Sequence, residues 1–134
     1  MNWKLVFQLS LFGLAMALGT VFLIPSSVEP LCWLVIFLLC AVLVARSCGQ
    51  KLFLHGLAIG IANSAWVTVA HILFFNQYIA AHTKEAAMMK SMPMPDSPRL
   101  MMALTGPVVG IVSGVVIGIL CMLAGRLVRP RLRP

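Results

Sequence analysis

Apolar residues fall in four long stretches along this chain, each closed by turn residues or charge. The first runs over 5–24 and stops at Pro25-Ser26-Ser27. The second covers 30–46, with Pro30 suited to the first turn of a helix and Arg46 at its end. The third covers 52–78 and predicts helix on to about His82; the fourth spans 99–126, too long for a perpendicular crossing. A helix needs about 20 apolar residues to cross the hydrocarbon layer. The pattern therefore predicts an all-α, polytopic membrane protein with four transmembrane helices, residues 1–134 forming a single membrane domain. An outer loop over 82–98 and a basic tail over 126–134 complete it.

Composition supports this reading. Of 134 residues, 61% are hydrophobic and 10% charged, which leaves too few polar residues to cover a water-facing surface. A soluble domain and a disordered chain are both excluded. The net charge of +7 would suggest nucleic acid in a soluble protein, but the positions of the bases argue for topology. With the N-terminus inside, the cytoplasmic segments hold Lys4, Arg46, Lys51, Arg126, Arg129, Arg131 and Arg133 and no acid. The outer segments balance Lys84, Lys90 and Arg99 against Glu29, Glu85 and Asp96. The positive-inside rule then predicts both ends in the cytoplasm of a bacterial inner membrane, the arginine tail meeting anionic headgroups, and no nucleic-acid partner. Lys4 followed by an apolar run and Ala15-Met16-Ala17 mimics a cleavable leader, but the run continues to Ile24, so an uncleaved first span is expected.

No Asp, Glu, Lys or Arg falls well inside a span, which argues against a proton-coupled carrier. Cys32, Cys40, Cys48 and Cys121 have neither metal-motif nor disulfide-framework spacing and read as small hydrophobes. Polar residues gather instead in the third span. Gly60, Ser64, Thr68, His71, Tyr78 and His82 share one helical face, with Asn63 beside it. Such a stripe must meet protein or water, so Asn63 and Ser64 are expected to bond across helices. His71, Tyr78 and His82, nearer the outer surface, are candidates for a polar pocket or solute path. His55 lies opposite and is expected at the interface. Two-imidazole haem ligation does not fit, because His55 and His71 lie about 24 Å apart on one helix.

The fourth span carries Gly106, Gly110, Gly114 and Gly118, a spacing that lets a second backbone approach closely, from the same chain or from another copy. Pro107 is expected to kink this helix near Thr105 and Gly106, after a short helical segment from Arg99 to Leu104 started by Asp96-Ser97-Pro98. Six of nine methionines lie between Met88 and Met102. With Pro93, Pro95 and Pro98 the loop reads as an extended hydrophobic lid. The alternative is a Cu(I) site from His82, Met88, Met89, Met92 and Met94, since thioether and imidazole suit that ion. No catalytic motif is visible, and no cofactor is expected.

Asn63-Ser64-Ala65-Trp66 through His71-Ile72-Leu73-Phe74-Phe75, then Ala86-Ala87-Met88-Met89, and Pro98-Arg99-Leu100-Met101-Met102 leading to Gly106-Pro107, resemble uncharacterised small four-helix bacterial inner-membrane proteins. The resemblance implies the topology and carries no activity or site residues. The expectation is a non-enzymatic membrane protein for small-solute passage or an accessory role in a membrane complex, with envelope copper handling as the alternative.

Overall fold

The computed structural model describes residues 1–128 and is helical throughout, with no strand among the described residues. The helices are α1 (Trp3–Phe22), α2 (Glu29–Ser47), α3 (Leu52–Leu73), α4 (Phe75–Ala81), α5 (Thr83–Met89) and α6 (Pro98–Val128). Of these, α1, α2, α3 and α6 are long and apolar enough to cross a membrane. Arg129, Arg131 and Arg133 of the basic tail lie outside the described residues.

The long helices start in different ways. The Asn2 side chain accepts from the Leu5 N–H at 3.1 Å, capping α1. Pro30 sits in the first turn of α2, and Ser97 accepts from the Met101 N–H at 3.1 Å as α6 begins at Pro98. α3 starts from Lys51, whose φ of 55° places a residue with a side chain in the left-handed region.

The third span departs from the expected continuous helix over 52–78. It breaks at Phe74 (φ −102°, ψ 35°), which closes α3 through its N–H to Ala70 and opens α4 by accepting from Tyr78. The break lets the Phe74 ring meet Phe22 of α1 edge-on at 5.4 Å. No glycine or proline marks the place, so the pattern alone could not show it. The 82–98 segment is not an extended lid throughout. Residues 83–89, good helix formers ahead of the first proline, make α5, and tight turns occupy only 90–97. α6 carries Pro107 in its interior. It is one helix through Pro107, which deprives the Ala103 carbonyl of its donor.

α3 is the central helix, packed on α6 along one side and on α1 along another, with α2 resting on α6. We call the end carrying Asn2, the 48–51 turn and Val128 proximal, and the end carrying the 23–28 and 74–97 connections distal. The proximal core gathers Val6, Leu9, Val44, Ile59 and Ile117 around three free cysteines, Cys40, Cys48 and Cys121. These cysteines pack as small hydrophobes. The outward faces are apolar too: Val35, Val108 and Val112 are each more than half exposed. Such a surface suits lipid rather than water.

His55, near the proximal end of α3, is buried, with only 2% of it accessible. Its Nδ1–H donates to the Lys51 carbonyl at 2.8 Å, leaving Nε2 to accept from the Asn2 N–H at 2.9 Å. One neutral imidazole thereby ties the start of α1 to the start of α3.

Candidate functional site

The glycine face of α6 is taken up by α3 of the same chain. A Cβ on Gly118 would lie 2.7 Å from the Phe53 ring, and one on Gly114 would lie 2.6 Å from the Leu57 carbonyl. From the other side, a Cβ on Gly56 would reach the Gly118 backbone at 2.5 Å, and one on Gly60 would strike the Gly114 backbone. Farther along, Ser64 faces Gly110 and Thr68 faces Gly106. At every fourth α3 position along this groove, 56, 60, 64 and 68, the residue thus grows from Gly to Ser to Thr toward the distal end, and beyond them come His71 and Tyr78. Small residues close the helices together, and larger ones hold them apart. The opening that results is the candidate site.

Its first wall is a stack of three rings. His71 and Tyr78 lie 4.0 Å apart between centroids, Tyr78 and His82 4.4 Å. The break at Phe74 is what brings the first pair face to face. The Thr20 hydroxyl of α1 lies 3.1 Å from the Ala17 carbonyl and 3.0 Å from His71 Nε2, within hydrogen-bond distance of both. His71 is thereby tied to α1. His82 donates from Nδ1 to the Tyr78 carbonyl at 3.0 Å, and its buried Nε2 has no partner in the protein. Burial, assisted by the carboxylates of Glu29 and Glu85, pushes the Tyr78 phenol up to about 12, so it remains a neutral hydroxyl.

One cavity adjoins this wall, and a second lies deeper between the helices. The outer, about 250 Å³, is bordered by Ser64, Thr68, His71, Tyr78, Glu85 and Thr105, with methionines on its far side. Glu85 Oε2 is buried there without a hydrogen-bond partner. The inner, about 220 Å³, reaches from Glu29 and Trp33 to Asn63 and Ser113, near the middle of α3 and α6. Ser64, Val67 and Val109 border both cavities. Ser64 bridges the helices by donating to the Gly106 carbonyl at 2.6 Å. Asn63 does not bond across helices as expected. It is 2% exposed, its amide oxygen and backbone lie close against Gly13 of α1, and neither its amide oxygen nor its nitrogen has a partner in the protein.

Of the polar stripe, Ser64, Thr68, His71 and Tyr78 come together around the outer cavity, and Asn63 borders the inner one. His82 stands behind Tyr78 and borders neither. The proposed Cu(I) donor set is divided for the same reason. Met89, Met92 and Met94 surround a third, small cavity, whereas Met88 borders only the outer one and His82 neither. Among the described residues no three His, Cys, Asp or Glu side chains cluster in a metal-binding arrangement. Sequence reasoning overlooked Glu85 and Glu29 as site residues because they read as loop charges balancing lysines. It overlooked Thr20, Thr105 and Ser113 because isolated hydroxyls in apolar helices usually bond their own backbone. Trp33, whose Nε1 donates to Glu29 at 3.2 Å, could have been found from its i, i+4 spacing from that acid.

Compared with known proteins, the chain matches no family model, no curated protein and no solved structure. Function must be argued from the geometry alone.

Proposed function

We propose that this chain is a multi-pass protein of the bacterial inner membrane, both ends cytoplasmic, that binds a small hydrogen-bonding solute between α3 and α6 without chemically altering it. The observation that carries this reading is Asn63. A buried carboxamide with no partner costs several kcal/mol in an apolar medium, and this residue borders a cleft that shares Ser64, Val67 and Val109 with the outer cavity toward the distal end. A solute supplying one donor and one acceptor would satisfy it. Each cavity is smaller than the roughly 300–1,000 Å³ of a drug-sized pocket, which suits a solute of a few heavy atoms.

Charge narrows the class. Glu29 borders the inner cavity and Glu85 the outer one. Arg99, the base nearest in sequence to the start of α6, stands over the Phe75 ring at 5.1 Å. Aromatic faces beside carboxylates favour a neutral or ammonium-bearing solute over an anion. Access from the distal end to mid-helix depth fits the first half of a passage route. The excess of bases on the proximal segments supports placing that end in the cytoplasm.

The test is thermal unfolding of the detergent-solubilised protein with ethanolammonium, glycerol and acetate. At ten times its Kd a ligand stabilises by about 1.4 kcal/mol, a rise in Tm of about 4 °C for a chain of this size. Stabilisation by ethanolammonium or glycerol but not acetate, lost in Asn63→Leu, is the expected result. Absence of any shift, or a shift that persists in Asn63→Leu, overturns the reading.

A further inference from the structure

We propose that the third cavity is a binding site for a soft monovalent cation, Cu(I), held by thioethers alone. Its volume is about 70 Å³, and its walls are Met89, Met92, Met94, Met101 and Met102, with only Pro98 and Thr105 besides. The sulfurs come from three places: the end of α5, the turn over 90–97 and the first turns of α6. In the turn, Met92 and Met94 are half-buried while Pro93 and Pro95 are exposed, so the alternation aims both thioethers to one side. Proline fixes the backbone between them, which holds the donors close at little further entropic cost.

Size and chemistry choose the occupant. The cavity is too small for an organic ligand and larger than the roughly 30 Å³ share of one water molecule. Thioether sulfur is neutral, soft and a weak hydrogen-bond acceptor, so it offers little to Mg²⁺ or Ca²⁺, which select oxygen, or to Zn²⁺, which favours thiolate or imidazole. Cu(I) is the biological cation that soft sulfur selects. Packing alone would be served as well by Leu and Ile, yet neither residue borders this cavity. Met88 and His82 are left out of the donor set, and Met101 and Met102 enter it. The site is independent of the solute reading, since neither Asn63 nor Glu29 touches it, although Met89, Met92 and Met102 also border the outer cavity. An ion leaving the thioethers would enter that cavity beside His71 and Glu85.

The experiment uses the full chain in detergent, with methionine methyl groups labelled with carbon-13, titrated with Ag(I) as a redox-inert stand-in and with Cu(I) against a colorimetric chelator. We expect saturation at one equivalent, with methyl shifts on at least three of the five lining methionines and none on Met1, Met16 or Met122. Thioethers do not titrate, so affinity should agree within about threefold between about pH 5.5 and about pH 7.5. Replacing Met92 and Met101 by Leu should weaken binding at least about tenfold, and Met122→Leu should leave it unchanged. The labelled wild-type spectrum decides the matter even if the double variant fails to fold. Absent saturation, shifts confined to other methionines, binding retained in the double variant, or an affinity that collapses at the lower pH would overturn the proposal, the last pointing to the cysteines or histidines.

Discussion

The α3–α6 seam is two different interfaces along one pair of helices. In its proximal half Gly56 and Gly60 meet Gly118 and Gly114 backbone to backbone, with Phe53 and Leu57 packed over the same two glycines of α6. In its distal half the glycines of α6 continue, but they face Ser64 and Thr68, and cavities open beyond. α6 repeats the same spacing in both halves. The difference therefore lies in α3, and it teaches that a glycine run on one helix permits close approach without dictating it. The partner's side chains decide whether the groove becomes a seal or a site.

Substitutions that fill the groove are the most direct way to break this comparison. In the proximal half Gly114→Leu has only backbone and the Leu57 side chain to displace, and neither yields without separating the helices. We expect a loss of at least about 3 kcal/mol, read by unfolding in detergent. In the distal half Gly106→Ala meets the Thr68 hydroxyl and methyl groups, a side chain that can turn. Its cost should be about 1 kcal/mol and should be recovered in Gly106→Ala combined with Thr68→Ala. Equal costs at the two positions, or no recovery in the pair, would refute the distinction.

Asn63→Leu is the next largest effect and reverses the usual sign. Removing a buried polar group that has no partner and replacing it with an apolar one of similar volume should stabilise the solute-free protein by about 1–3 kcal/mol while abolishing solute-dependent stabilisation. A destabilised variant would mean that the amide is satisfied in the empty protein.

Much of this fold was legible because each signal was local. Apolar length marked the four long helices, Pro30 and Pro98 marked two helix starts, and the spacing of Gly106 to Gly118 marked the packing face of α6. Gly56 and Gly60 carry the same four-residue spacing on α3 and could have named the groove's partner, though no count along α6 alone could do so. The break at Phe74 was hidden because its cause is tertiary, a ring finding Phe22 and a tyrosine finding His71. The division of the methionines between two cavities depends on α5, whose existence turns an extended loop into one that folds Met89 back over Met101 and Met102.

Tyr78 tests the distal half by a different route. It is the only tyrosine in the chain, so its ionisation can be followed alone by ultraviolet absorbance. The folded midpoint should stand near 12, against about 10 in the unfolded chain. Because the folded value is the raised one, the associated stability is fully present below pH 10 and lost as pH rises through 12. A folded midpoint near 10 would mean that the phenol faces open solvent. Tyr78→Phe should keep both ring stacks, whereas Tyr78→Leu should lose about 0.5–1.5 kcal/mol for each.

The smallest effect belongs to the turn that aims α3 at α6 in the closed half of the seam. Lys51 enters the helix from the left-handed region, its side chain exposed and its carbonyl held by the His55 ring. A residue bearing a Cβ costs roughly 1 kcal/mol there, and glycine avoids that strain. Comparing Lys51→Gly with Lys51→Ala removes the same charge in both and isolates the backbone contribution. The glycine variant should be the more stable of the two by about 0.5–1 kcal/mol in detergent unfolding, with solute and Cu(I) binding at the distal end unaltered. If alanine proved equal or better, the turn would have to relax out of its left-handed conformation, and the close approach of Gly56 to Gly118 would then depend on side-chain packing along the seam rather than on the direction in which α3 sets out.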